Sequence, residues 1–198
     1  ILPESSLHLP LRAATAGTVQ LRDMSSYPYP FASEPTLSTL AFVLPKADAS
    51  TWNAAAQIAL QLGNQSSGAL FNFGVAYDGE LPEDVRNTRN LIVIGLPSDL
   101  QMLNELKDSL PAPFEEGTNV AVLQGQQVAY RFPAEADLGF LELLASPWNA
   151  DRVINSADLM GTAADFTVAC PLIDQQIRAA TAGMEAYQDI NVAIAAGY

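Results

Sequence analysis

The sequence contains one histidine, one cysteine and few basic side chains. His8 lies near the N-terminus and Cys170 stands alone, so an intrachain disulfide and a cysteine-based metal site are both excluded. The main part of the chain therefore lacks the histidine base of a Ser-His-Asp or Cys-His mechanism. Nine Lys and Arg against 22 Asp and Glu give a net charge of −13, which disfavours nucleic-acid binding and docking on anionic lipid.

Long apolar runs are also missing. No stretch of about 18 or more apolar residues is present, so no membrane span is expected in this sequence. The first residues, Ile1–Glu4, lack the basic start and apolar centre of a signal peptide, and the chain does not begin with Met. We therefore expect the chain to be part of a longer protein.

Two regions of different character are present in the 198 residues. Thr18–Met24 alternates like a half-buried strand, and the segment that follows contains three prolines, which exclude a helix and a central strand. We interpret residues 1–35 as a short β segment and a linker, the remnant of a preceding β-sandwich domain. Residues 36–198 are about as long as one typical domain.

The second region alternates strand and helix patterns. Short apolar runs predict strands at 40–44, 69–76 and 91–95. Between the first two, a helix is predicted to begin at Asp48 or Ser50 and to end near Gly63. Its predicted buried face comprises Trp52, Ala55, Ala56, Ala59, Leu60 and Leu62. A second helix, capped by Ser98, is predicted to carry an apolar stripe of Leu100, Leu103, Leu106 and Leu110.

The remainder of the chain continues this alternation. The pattern predicts a hairpin of strands 121–123 and 128–132 around Gly125, a helical stretch over 157–181 and a last strand at 191–195. Residues 138–145 suit a strand or a helix, and the spacing of their apolar residues favours a helix. Such alternation predicts an α/β fold, a mostly parallel sheet with helices on both faces. The layout resembles the flavodoxin-like doubly wound type.

Several short motifs, in this order and spacing, resemble one family. They are the Tyr-Pro-Tyr-Pro-Phe linker at 27–31, the strand end Leu44-Pro45, the Ala55-Ala56 to Leu62-Gly63 helix, Asn90–Gly95 and above all Ser146-Pro147-Trp148-Asn149. Over roughly residues 25–150 the sequence resembles the BcsB family, the periplasmic accessory or regulatory subunits of bacterial cellulose synthase. After the Ser-Pro-Trp-Asn turn this sequence departs from the family pattern, so we expect a strand cut short at Ile154 or a junction of two segments there.

The resemblance implies a flavodoxin-like domain of a periplasmic accessory subunit that is regulated together with a cyclic di-GMP-dependent complex. It implies a non-catalytic role in cellulose, or exopolysaccharide, secretion, in which the domain scaffolds or guides the glucan outside the inner membrane. The implied partners are the catalytic subunit, neighbouring β-domains and the glucan. The implied location is exported, with a membrane anchor elsewhere in the full-length protein.

A flavin- or nucleotide-binding protein is the alternative, but no cofactor is predicted. A phosphate site would need free N–H groups at the first helix, where Lys46–Thr51 offers Ser50, Thr51 and a Lys but also Asp48 and no glycine. Gly161–Ala164 lacks the Walker spacing. Direct binding of cyclic di-GMP has little support, because arginines are few and form no cluster.

Catalytic and metal sites are not predicted either. The adjacent carboxylates Glu83-Asp84 and Glu115-Glu116 fit solvated loops better than a pair facing each other across a sugar. No His, Cys and Asp cluster has metal-ligand spacing. Cys170 precedes a proline in an apolar stretch, which favours a buried structural thiol over a reactive one.

Aromatic side chains are the candidate glucan contacts. Tyr27, Tyr29 and Phe31 are two residues apart on an extended segment, so they can share one face on which a sugar stacks. The alternative is that they attach the linker to the α/β domain. Trp148, which follows a proline in a turn, is a further candidate contact and equally a plug on the domain surface.

Overall fold

A computed structural model of the chain describes residues 30–32, 37–46, 49–65, 72–124, 129–133, 138–159 and 192–196. These residues form a six-stranded sheet, a two-stranded sheet and three helices. The elements in chain order are β1 Leu40–Leu44, α1 Ala49–Gln65, β2 Gly74–Tyr77, α2 Glu83–Thr88, β3 Asn90–Gly95, α3 Gln101–Glu105, β4 Ala121–Gln124, β5 Ala129–Phe132, β6 Leu138–Ser146, β7 Asn149–Leu159 and β8 Val192–Ala196.

The large sheet has the strand order β2-β1-β3-β7-β6-β8. The pairs β1–β2, β1–β3 and β3–β7 are parallel, whereas β6 is antiparallel to both β7 and β8. The sheet is therefore mixed and mostly parallel, as the sequence predicts, and its antiparallel part lies entirely around β6.

Alternate residues of the strands point to two separate apolar clusters. In β1, Phe42 and Leu44 belong to one cluster, and Val43 belongs to the other. Helix α1 covers the first face through Ala54, Ala55 and Leu62. The second face is covered by α3 and the residues that follow it, together with the β4–β5 ribbon; the buried members there include Leu100, Met102, Leu103, Leu106, Phe114 and Ala121. Both faces of the sheet thus carry a helix.

Several predicted elements are confirmed. Strand β1 has the predicted bounds, β3 begins one residue earlier than predicted, and β4 and β5 form the expected antiparallel hairpin. The last strand, β8, lies one residue later than predicted. The second strand is shorter than expected, because Asn72 and Phe73 precede it without strand structure and residues 69–71 lie outside the described part.

The helix predicted over 138–145 is wrong. Leu138–Ser146 is strand β6, which pairs with β7 on one side and β8 on the other. Phe140 and Leu144 face the second cluster and Leu143 faces the first, so this strand is buried on both faces. A continuous apolar run of this kind suits a buried strand as well as a helix, and the sheet pairing decides.

The interruption predicted at Ile154 is also wrong. Strand β7 continues to Leu159 and pairs with β3 from Leu91–Ile154 to Gly95–Asp158. Asn155 and Ser156, two of the polar residues that suggested a stop, are buried in the sheet, where the amide of Asn155 donates to the carbonyl of Glu142 at 3.1 Å. The predicted helical stretch therefore does not include residues 157–159, and its remainder lies outside the described residues.

The buried face of helix α1 is predicted in part: Ala55 and Leu62 are buried and Ala59 is partly buried, but the other three predicted residues are exposed. Trp52 and Leu60 are exposed by 39% and 64%, and Ala56 is exposed as well. The buried stripe comprises Thr51, Ala54, Ala55 and Leu62, with Ile58 partly buried. The helix also continues past Gly63 to Gln65.

Candidate functional site

The carboxyl ends of β1, β2 and β3 meet at one edge of the sheet. This is the edge at which open α/β sheets bind ligands. The chain leaves these strands through Pro45-Lys46, Asp78-Gly79 and Leu96-Pro97. The polar groups at this edge are therefore the first candidates for a ligand site.

Asp78 binds the start of α3. Its backbone N–H donates to the carbonyl of Leu44 at 2.8 Å, which fixes the residue at the end of β2. Its carboxylate accepts hydrogen bonds from the backbone N–H groups of Gln101 and of Met102, the latter at 3.2 Å to each oxygen. Gly79, with φ +81°, makes the turn that follows. The first N–H groups of α3 are thus bound by a carboxylate of the chain itself.

Apolar side chains close the space beside Asp78. A Cβ on Gly95 would lie 2.8 Å from Cδ1 of Leu100 and 3.1 Å from Cδ of Pro45. Glycine at this position lets both side chains pack directly against the end of β3. The nearby N–H of Ser98 donates to Oδ1 of Asn119 at 2.8 Å. Ser98 lies in a 3₁₀ turn and is not the cap of α3, a role that Asp78 takes instead.

The residues considered for a phosphate at the first helix lie in different surroundings. Thr51 is 2% exposed and faces the core, whereas Lys46 is exposed. Asp48 lies outside the described residues, as do Gly161–Ala164. Within the part of the chain that the structure covers, no group of three or more His, Cys, Asp or Glu is arranged to hold a metal ion.

Trp148 lies in the turn between β6 and β7, beside α2. Its ring packs against the second apolar cluster, and the Arg86 guanidinium lies over it at 5.0 Å from the ring centroid, a cation–π contact. The amide of Asn149 donates to the carbonyl of Asn87 at 2.7 Å, which attaches α2 to this turn. The structure places Trp148 as a half-buried plug with one ring face covered.

Phe31 is the one other predicted glucan contact that the structure describes, and it lies in the other apolar cluster from Trp148. Phe31 is fully buried in the cluster that contains Phe42 and α1 residues, so its ring packs into the α/β core. Tyr27 and Tyr29 lie outside the described residues, as do His8 and Cys170. The division of the chain at residue 35 stays a prediction.

The carboxylate pairs occupy different surroundings. Glu83 and Asp84 are exposed in the first turn of α2, where negative charge is favourable. Glu115 forms a two-point ion pair with Arg131, with Nε to Oε1 at 2.8 Å and Nη2 to Oε2 at 3.0 Å. The hydrogen bond from Arg131 lowers the pKa of Glu115 below its ordinary value, with slight desolvation opposing it and the positive charge adding to it.

Two features are not predicted by the sequence. Glu142 is fully buried on β6, and its Oε2 accepts the backbone N–H of Ala112 at 2.7 Å. Nothing in the local sequence distinguishes this carboxylate from a solvated one. Trp52 is the other feature: the sequence pattern places it in the core, yet its ring is exposed beside Tyr77. The complete lack of charge in α1 is the signal in the sequence that the exposed side of this helix is unusual.

Comparison with known proteins decides the family. The sequence model for "Cellulose synthase BcsB, second FD domain" matches residues 18–156, more than two thirds of the chain. The chain belongs to this family. Membership in the BcsB family implies an accessory subunit of cellulose synthase, and it confirms the resemblance found in the sequence motifs. The comparison with curated proteins gives no match. Among the described residues of this BcsB domain, no helix is long and apolar enough to cross a membrane.

Proposed function

We propose that this chain is a non-catalytic domain that scaffolds or guides the glucan in a bacterial cellulose secretion complex. The observation that carries the proposal is the match to the BcsB second FD domain over residues 18–156. The carboxyl edge of the sheet supports the proposal, because side chains of the chain itself occupy it. The Asp78 carboxylate binds the first N–H groups of α3, and the side chains of Leu100 and Pro45 pack against Gly95. Such contacts are those of a structural element.

We further propose that the domain acts outside the inner membrane as part of an exported, membrane-anchored subunit. Its partners would be the catalytic subunit of the synthase and the neighbouring β-domains of the same protein. Tyr27, Tyr29 and Trp148 stay predicted glucan contacts, whereas the buried ring of Phe31 has no exposed face for a sugar.

The strand order supports a flavodoxin-like relationship. The order β2-β1-β3-β7 repeats the 2-1-3-4 order of flavodoxin-like sheets, with all three pairings parallel. The departure is β6, which pairs antiparallel with β7 and β8. We infer a doubly wound fold of this type, in which the strands that follow the parallel part, β6 and β8, are added in antiparallel pairs.

The flavin alternative finds no support at the start of α3, one place on the carboxyl edge of the sheet where a phosphate could bind. The carboxylate of Asp78 already accepts the N–H groups of Gln101 and Met102, and a phosphate would meet this negative charge. The apolar contact of Leu100 with Gly95 fills the adjacent space. These contacts favour a scaffold.

The test uses the full-length subunit that carries this domain, expressed with its complex. We expect the tagged subunit to co-purify with the cellulose synthase catalytic subunit, and the domain to be cleaved by protease added to spheroplasts. We also expect no change in the melting temperature of the 198-residue chain when FMN is added. A cytoplasmic location, a failure to co-purify or a clear stabilisation by FMN would contradict the proposal.

A further inference from the structure

Helix α1 presents an uncharged surface on a strongly acidic chain. None of the 22 Asp and Glu or the nine Lys and Arg lies within Ala49–Gln65, although the chain carries a net charge of −13. Surface helices normally carry charged residues on their solvent side. A 17-residue helix without charged side chains offers no counter-charge to an ionic partner.

The exposed side of α1 combines an apolar strip with amide side chains. Trp52, Ala56 and Leu60 follow at intervals of four residues and are all exposed, so they form one strip about 12 Å long. Asn53 and Asn64 are exposed beside this strip, and Gln57 is partly exposed. We call the surface formed by Trp52, Asn53, Ala56, Gln57, Leu60 and Asn64 the α1 face.

The amides of the α1 face are available for a ligand. Among the described residues, the side chains of Asn53, Gln57 and Asn64 make no hydrogen bond to the protein. Each amide offers two N–H donors and one acceptor oxygen. Hydroxyl groups, which both donate and accept, are the natural partners of such a row.

The ring of Trp52 is oriented by the edge strand β2. It contacts Tyr77 edge to face, with centroids 6.2 Å apart and ring planes at 80°, and still exposes 39% of the residue. Val75 lies two residues before Tyr77 and is 41% exposed. Both are in register with β1 residues of the α1-side cluster, so they extend the apolar surface on the same side of the sheet. The indole is thus held in place with part of its surface open.

We propose that the α1 face binds a neutral glucan chain, with Trp52 stacking on a sugar ring and the amide row binding its hydroxyls. The inference rests on the proposed function and adds a location to it. An aromatic ring beside uncharged donors and acceptors suits an uncharged polyhydroxyl polymer. A charged polymer would find no counter-charge on this helix.

Trp52 is better placed for stacking than Phe31 and Trp148, the two sequence-predicted contacts that the structure describes. Phe31 is fully buried, and Arg86 covers one face of Trp148. Among the described tryptophans and phenylalanines, Trp52 alone is exposed by more than a third. The exposed strip of three side chains is narrow for a stable protein interface, which commonly involves about 20 residues a side.

The test measures binding of cellohexaose and of amorphous cellulose to the 198-residue chain. We expect the unaltered chain to bind both and to ignore polygalacturonate, a charged polysaccharide. Trp52→Ala should weaken binding by about tenfold, the scale of losing one well-stacked ring. Trp52→Phe should restore part of the affinity.

A second variant keeps the test valid if Trp52→Ala does not fold. Ala56→Glu places a charge in the centre of the α1 face, at an exposed helix position where Glu is well tolerated. Asn104→Glu makes a similar charge change at an exposed position of α3, on the other side of the sheet. We expect Ala56→Glu to abolish binding and Asn104→Glu to leave it unchanged.

The outcomes separate this inference from the proposed function. If the unaltered chain binds no glucan, or if Trp52→Ala and Ala56→Glu bind as well as it does, the inference is wrong. It is also wrong if these variants change the oligomeric state or prevent co-purification with the catalytic subunit, because the α1 face would then contact protein. Co-purification of the unaltered subunit tests the proposed function independently.

Discussion

Gly95 allows Leu100 and Pro45 to pack directly against the end of β3, at the carboxyl edge of the sheet. Leu100 and Pro45 approach its Cα closely enough that any added carbon meets them. Its backbone is not in the left-handed region, so the requirement for glycine here is steric.

We predict that Gly95→Ala lowers the free energy of unfolding by about 1–3 kcal/mol, the usual cost of overpacking. A double-mutant cycle with Leu100→Ala, measured by urea unfolding, checks whether contact with Leu100 causes this loss of stability. Leu100→Ala alone should cost about 2–5 kcal/mol through the cavity it leaves. In that background the added methyl should cost much less, because its nearest neighbour is gone. If the two variants lower the free energy of unfolding additively, contact with Leu100 is not the reason that Gly95→Ala is destabilising.

The ion pair between Glu115 and Arg131 gives a second residue-scale prediction. Because the Arg131 hydrogen bond lowers the pKa of folded Glu115, the pair stabilises the protein above the pKa of the unfolded state. This stabilisation is lost as the pH falls through the folded pKa, which lies below the ordinary value of a glutamate carboxyl. Glu115→Gln should therefore reduce stability near neutral pH and make no difference in strong acid.

Urea unfolding at several pH values and an NMR titration of the Glu115 carboxyl measure this. Both side chains are substantially exposed, so added salt should weaken the effect. Glu116→Gln removes one charge beside the pair and is the matched control. A Glu115 carboxyl that titrates above its ordinary pKa would contradict the assignment.

At the scale of elements, α3 depends on a cap that comes from a distant strand. Asp78 lies at the end of β2, more than 20 residues before the N–H groups it binds. Leu100, the residue at the N-cap position, has no side-chain oxygen to satisfy them. The short helix is therefore fixed to the sheet as it begins.

We predict that Asp78→Ala lowers the free energy of unfolding by about 1 kcal/mol, within the 0.5–2 kcal/mol range of helix caps. Asp78→Asn should cost less, because the amide oxygen still accepts a hydrogen bond. Amide hydrogen exchange should speed up at Gln101 and Met102 specifically. Asp108→Ala, at an exposed position after α3, is the control and should change neither quantity.

The sequence predicts those elements whose pattern is local. β1 and β3 are short apolar runs bounded by turn residues, and the leucine stripe from Leu100 to Leu110 is buried as expected. The strand β6 could not be recognised, since its apolar run suits a helix until β7 and β8 pair with it. The cap by Asp78 is equally invisible, because it joins residues far apart in the chain.

The exposed side of α1 could not be predicted from the sequence for a related reason. Its apolar residues surround the helix, so periodicity alone does not identify which of them face the sheet. Trp52 looks like a core residue in the sequence, but β2 ends beside it and leaves its ring at the surface. The candidate site thus depends on where an edge strand stops.

For the whole molecule, the sheet is completed by a strand from the end of the chain. β8 pairs with β6 over five residues, from Leu138–Ala196 to Glu142–Val192. Without β8, the long strand β6 would become the edge of the described sheet, with unpaired backbone groups open to other chains.

We predict that removal of residues 191–198 lowers the urea midpoint and causes concentration-dependent aggregation. Removal of residues 197–198 alone, which follow β8, should have little effect. Chemical unfolding and light scattering at several protein concentrations compare the two truncations. Equal midpoints would mean that β8 adds nothing to the stability of the sheet.

The uncharged helix also affects how copies of this domain meet each other. Like charges repel over about 10 Å at 0.1 M salt, and here the acidic residues all lie outside α1. Two molecules repel each other in most orientations, and the repulsion is weakest where helix α1 faces the other molecule. The acidic residues outside α1 thus repel other copies of the domain most strongly at low ionic strength, and added salt weakens this repulsion.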